Sequence, residues 1–161
     1  MKNQRKVVGG FTLIELLIVI AVIIILAAAI FVALDPAKRF QDARDSIRRS
    51  DVDATLSAIK TDQVDNGGSY AAAISALTAD TEYQIGTAGA GCDTGCAAVT
   101  TEAACADLAS LVSDGYLSSV PMDPSTGTAA ETDYYIIRNT TGTITVGACD
   151  EEGATAISST R

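Results

Sequence analysis

Between Leu16 and Leu34 the chain shows no alternation of apolar and polar residues, only nineteen consecutive positions without a charge, a Pro or a Gly. As a helix rising about 1.5 Å per residue, this run reaches roughly 28 Å, close to a hydrocarbon core of about 30 Å. It is rich in Ile and Val and apolar on every face, so lipid or other apolar helices must surround it. Asp35-Pro36 punctuates its end. Pro36 has no N–H for the carbonyl of Val32 and its ring clashes with that turn, while Asp35 suits the cap of a new helix with Pro at its first position. A kink or break is therefore expected between Ala33 and Pro36. The apolar helix is assigned to residues 11–35.

From Pro36 to Asn66 the pattern becomes that of an amphipathic helix. Phe40, Ala43, Ile47, Ala54, Ala58 and Ile59 recur at helical spacing and are expected to form its apolar face. Asp35 to Asp53 holds five acidic and five basic residues, read as a solvated face with intrahelical pairs such as Asp45 with Arg48 or Arg49, each worth tenths of a kcal/mol. Pairing between copies of the chain is the alternative. Asp65-Asn66-Gly67-Gly68 closes the helix through residues that adopt the left-handed conformation readily. Residues 67–161 read as one small head. Glu82 to Ile85 is a short strand, Gly86 to Gly95 a glycine-containing loop, and Thr101 to Ser113 a helix with Cys105, Leu108, Leu111 and Val112 inward. Tyr134–Arg138 and Thr143–Ala148 form a hairpin about Asn139-Thr140-Thr141-Gly142, and the polar tail from Glu151 is expected to be partly mobile. The fold class is α+β: a long N-terminal helix, half apolar and half amphipathic, on a small antiparallel sheet.

Charge limits the functions open to this head. The chain carries 11 basic and 20 acidic residues, a formal net charge of −9. From Ala54 onward only Lys60, Arg138 and Arg161 oppose fourteen carboxylates. Direct binding of nucleic-acid phosphates needs clustered Lys and Arg and is not expected. With no His there is no imidazole base, and no nucleophile or acid/base constellation stands out, so no enzyme activity and no cofactor are expected. The glycines of residues 86–95 match no phosphate-binding template.

Lys2, Arg5 and Lys6 precede the apolar run, which holds the N-terminus in the cytoplasm and sends Asp35 onward across the membrane. A secretory signal has a shorter apolar region followed by a small-residue cleavage site, whereas here the pair Gly9-Gly10 lies before the run. On the far side of a membrane disulfides persist, and Cys92, Cys96, Cys105 and Cys149 are read as two of them. Their spacing fits no zinc module, so no structural metal is expected. Three connectivities are possible. In each of them Cys149 is joined to the earlier cysteine-bearing region, closing a long loop.

Gly10-Phe11-Thr12-Leu13-Ile14-Glu15, set between a basic leader and a spanning helix, resembles the processing site of type IV prepilins and of the pseudopilins of type II secretion. The resemblance implies a leader of residues 1–10 removed after Gly10 by a prepilin peptidase, methylation of the new Phe11 amine, and helical assembly of many copies from an inner-membrane platform. It gives Glu15 a partner, the Phe11 amine of a neighbouring subunit; the plainer reading is a carboxylate that snorkels and stabilises its own helix N-terminus. Two further stretches are similar to this family. Asp65-Asn66-Gly67-Gly68-Ser69-Tyr70 resembles its Asp-Asn-Gly-x-Tyr-Pro turn, with Ala71 in place of Pro and an extra Gly. Leu111 to Leu117 with Val120 to Pro124 resembles its Leu-x-x-x-Gly-Tyr-Leu and Pro-x-Asp-Pro elements. The family often carries a helix-breaking Pro some residues before Pro36. Relatives in type II secretion bind calcium in the sheet loops, which makes Asp123 and Asp150, with Asp133, Glu151 and Glu152, weak calcium candidates; an acidic solvated loop is the favoured reading. The function implied is a structural subunit, a major pilin or pseudopilin, held in the membrane as a single-pass precursor and then carried in an extracellular filament. The alternative is a minor, tip-located binding pilin on the same anchor.

Overall fold

The computed structural model describes residues 9–153 and 155–161. Lys2, Arg5 and Lys6 of the leader lie outside the described residues. The described residues divide into two units, one up to residue 39 and the other residues 40–161.

Helix α1 spans Leu13–Leu34 and buries none of its residues. It is the one helix among the described residues long and apolar enough to cross a membrane. Asp35 interrupts the helical backbone at φ 37°, ψ 74°, and helix α2 (Pro36–Asp65) starts with Pro36. The break falls at the expected place because a proline with no N–H is tolerated only in a first turn. Asp35 accepts from the Lys38 N–H at 3.5 Å.

In the second unit, the buried stripe of α2 is Asp45, Arg48, Val52, Thr55, Leu56, Ala58, Ile59 and Asp62. This corrects the expected apolar face. Ala58 and Ile59 are inside, but Phe40 and Ile47 are 66% and 47% exposed, Ala43 and Ala54 are also exposed, and two residues expected in a solvated face are buried. Asn66, Gly67 and Gly68 close α2, the last two at φ 66° and 96°, and the Gly68 N–H reaches back to the Gln63 carbonyl at 2.7 Å. Asp62, 1% exposed, accepts from the Asn66 amide at 2.7 Å and the Ala71 N–H at 3.2 Å, which fixes the turn leading into α3 (Ala72–Ser75).

Strands β1 (Glu82–Gln84), β2 (Tyr134–Arg138), β3 (Ile144–Ala148) and β4 (Ser158–Thr160) form one antiparallel sheet in that order. Tyr134 opposes Ala148 and Ile136 opposes Val146. Their side chains join Val52, Leu56 and Ile59 of α2 in the core, where each fully buried Leu or Ile contributes about 1.5–3 kcal/mol. The tail is not loose. Ile157 is buried, β4 pairs with β3, and the Arg161 backbone bonds both ways with Ile144. The helix expected over 101–113 is only α4 (Ala109–Ser113), because Ala106 is held extended by a parallel bridge to Ile85 and Cys105 by a disulfide.

Cys92 is bonded to Cys105 and Cys96 to Cys149, with Cα–Cα separations of 5.5 and 4.7 Å. The second bridge spans 53 residues against 13 for the first, and so removes more freedom from the unfolded chain. Cys149→Ser is expected to lower the unfolding free energy by about 4 kcal/mol, and Cys105→Ser by about 3 kcal/mol. Urea unfolding of the full chain in detergent measures both, and the larger loss belongs to the longer loop.

Candidate functional site

The N-terminal segment is built for access. Gly9 and Gly10 are exposed with nothing within 4 Å of a β-carbon placed on either, and Phe11 is 85% exposed. Thr12 caps α1 in an extended conformation and forms a reciprocal capping box with Glu15. The Thr12 N–H and hydroxyl donate to Glu15 Oε2 at 2.9 and 2.8 Å, and the Glu15 N–H donates to Thr12 Oγ1 at 3.3 Å. Phe11 carries an amide nitrogen here, joined to Gly10. In this state Glu15 is satisfied within its own chain.

A second polar centre lies in the head. The Arg48 side chain is 1% exposed and surrounded by three carboxylates. Its Nε and Nη2 donate to the two oxygens of Asp123 at 2.5 and 3.0 Å, and its Nη1 donates to Asp45 at 2.8 Å and to Glu152 at 3.2 Å. Arg44 holds Glu152 from the other side with two bonds of 2.5 Å. The remaining lone pairs are filled by backbone. Asp45 accepts from the Glu152 and Gly153 N–H groups, and Asp123 from those of Ser125 and Thr126. Gly127 is required by this turn, since a β-carbon there would run into the Asp123 backbone. The clip fastens α2 to the loop of the Pro-x-Asp-Pro element and to the segment before β4.

Burial alone would raise the Asp123 pKa, but the Arg48 guanidinium and the Ser125 and Thr126 N–H groups hold it below the usual range. Asp45 is likewise lowered against its own burial, by the Glu152 N–H, Arg48 and the Gly153 N–H. Glu152 is lowered by Arg44 first and Arg48 second. Burial raises Asp51 and Asp133 instead; Tyr134 donates to Asp51 at 2.8 Å, and Asp133 also faces the charges of Asp150, Asp123 and Glu131.

Of the calcium candidates, Asp123 has both oxygens on Arg48, and Asp150 accepts from the Thr126 hydroxyl at 3.3 Å. Among the described residues no group of three or more Asp, Glu, Cys or His is arranged to hold a metal ion. Asp133 instead accepts from Gln84 at 2.9 Å.

The exposed Gly-Phe junction, the capped Glu15 and the unburied helix behind them agree with one family. Residues 5–31 match the family described as the prokaryotic N-terminal methylation motif. This chain bears the prepilin signature. The methylation motif marks precursors of type IV pilins and pseudopilins, and the long apolar helix with its four-stranded antiparallel sheet is a pilin-like α+β arrangement. The motif supports a pilin-like or pseudopilin precursor, and the match ends at residue 31. No curated protein and no solved structure matches the chain.

The motif ends before the clip, and reading the sequence missed Arg44, Arg48, Asp45 and Glu152 as a unit. A signal was present. Stepping back by four and by seven from Val52 along the row it shares with Leu56 and Ile59 gives Arg48 and Asp45, so two charges occupy core positions.

Arg48→Met is expected to destabilise the head by about 3–5 kcal/mol at neutral pH, because Asp45 and Asp123 stay buried without their cation. Arg48 and the backbone N–H groups hold both carboxyls below the usual carboxylate range in the folded head, so the stability they confer is present above the unfolded value and is lost as pH falls through their folded values. In chemical unfolding the gap between wild type and variant is therefore expected to narrow as pH falls below the ordinary carboxylate range and to close only below the folded values of Asp45 and Asp123.

Proposed function

We propose that this protein is a structural subunit of a type IV pilus-like or type II secretion filament. One observation carries the reading: directly behind Gly10-Phe11 stands a 22-residue apolar helix that buries none of its residues in its own chain. Lipid covers it before assembly, and neighbouring helices cover it afterwards. The basic leader holds the N-terminus in the cytoplasm with the head on the other side. The peptidase cuts after Gly10, the new Phe11 amine is methylated, and the apolar helix remains as the anchor.

Cleavage changes the chemistry around Glu15. The Phe11 amide becomes a cationic amine, and a carboxylate at the edge of the apolar layer gains more from a full charge than from the Thr12 N–H and hydroxyl alone. Glu15 pairs with the Phe11 amine of a neighbour as a subunit enters the filament, trading part of its capping box for an ion pair that sets axial register. The break at Asp35-Pro36 separates the filament-core segment from the helix that carries the head.

Mass spectrometry of the chain recovered from membranes and from sheared filaments should find a single N-terminus, Phe11, bearing one methyl group. Glu15→Gln should be cleaved normally yet abolish filaments, as seen by electron microscopy of sheared material. Recovery of normal filaments from that variant would remove the pairing and leave the processing intact.

A further inference from the structure

The second unit holds six basic residues against eighteen acidic ones, and its cations are not spread evenly. Arg44 and Arg48 are committed to the clip, and Arg138 donates to the Leu77 carbonyl at 2.6 and 3.0 Å. The other three gather along one side of α2. A hollow of about 230 Å³ is lined by Arg49, Val52 and Asp53 of α2 and by residues 156–159 on and before β4. One turn further along α2, a second of about 370 Å³ is lined by Ser57, Lys60, Thr61 and Val64 with Arg161. Arg49 and Arg161 are exposed and make no ion pair among the described residues. Lys60 contacts only the neutral oxygens of Gln63 and Tyr70 and the Tyr70 ring.

Two further features mark this side as incomplete. β4 is an edge strand whose second edge is unpaired among the described residues, whereas β1 at the opposite edge is covered by backbone bonds from Glu102 and Ala106. On the same side Val64, which lines the second hollow with Thr61, is 75% exposed.

We infer that the side of α2 next to β4, with Arg49, Lys60 and Arg161, is the docking surface for the acidic head of a second copy of this chain. The inference rests on the filament reading. Charge complementarity selects the occupant: among the described residues only Asp45, Asp123 and Glu152 of this unit's eighteen carboxylates are in ion pairs, and of the rest only Asp62 and Asp133 are buried. Each copy thus presents many unpaired carboxylates to a neighbour's Arg49, Lys60 and Arg161, among which Asp53 is the one acidic side chain lining the hollows. Copies confined to one membrane by α1 meet at high effective concentration, so rim ion pairs of modest individual strength suffice to orient them. An extended strand edge with Ser and Thr side chains suits a protein backbone as the seated element.

A photo-crosslinking residue in place of Thr61, in the full chain within its producing cells, tests this. The expected product is a dimer of the chain whose crosslinked peptide maps to an acidic surface of the second copy's head. The double variant R49E/R161E should reduce that product about tenfold, and R49Q/R161Q by less. Both altered residues are exposed, so an unchanged urea-unfolding midpoint verifies that the head is folded. Filaments that form while the Thr61 position gives no self-adduct, or gives adducts only with nucleic acid or an unrelated protein, would overturn the docking surface and leave the filament reading standing. An R49E/R161E chain with the wild-type yield of self-adduct would overturn it as well. Absence of any filament from the unaltered chain would instead count against the filament reading, and a self-adduct found in the membrane under those conditions would still support the surface.

Discussion

Helix α1 gains nothing from its own chain. All 22 of its residues lie outside any intrachain core, and its large apolar side chains are about half exposed or more. In water this surface would drive aggregation; in a bilayer it is solvated by lipid tails as apolar as itself. Exchanging those tails for neighbouring helices is nearly neutral per unit area. Assembly must then be decided by directional contacts at the ends of the apolar segment and on the head, which is why the few polar groups near these places matter more than the long run between them.

At the N-terminal end the relevant group is Glu15. The capping box satisfies it before cleavage at little cost, since Thr12 supplies an N–H and a hydroxyl at ordinary distances. In the uncleaved chain Glu15 thus meets donors of its own helix end. Under the proposed processing, removal of the leader would exchange the Phe11 amide for an amine, and a charged donor bonds a carboxylate more strongly than a neutral one.

The head solves a different problem. A unit of this size buries limited apolar surface, and the core built on Leu56, Ile59, Ile136 and Val146 is supplemented by two disulfides and by the Arg48 clip. Such a clip contributes less to net stability than its short bonds suggest, because three carboxylates and a guanidinium are desolvated to form it. What it supplies is geometry. Asp123 tethers the loop that follows the proline element, and Glu152 tethers the segment leading to β4, so the edge strand and the cations beside α2 have fixed positions. Pairing Arg44 and Arg48 in this way also leaves Arg49, Lys60 and Arg161 as a distinct group of cations beside α2 on a largely acidic unit.

The apolar rod, its interruption at Asp35-Pro36, the closing turn at Asn66 to Gly68 and the β2–β3 hairpin were all legible in the sequence, because each depends on residues within a few positions of one another. The buried face of α2 was not. Arg48 meets partners 75 and 104 residues away, and charge on a helix reads as solvated until those partners are in place. The same reason hid the strand in the polar tail, which needs β3 beside it, and the early end of the 101–113 helix, which needs Ile85 and the Cys92–Cys105 bridge. Residue type and spacing determined what this chain must do with its apolar half; the packing of distant segments decided which charges it keeps inside and which it shows.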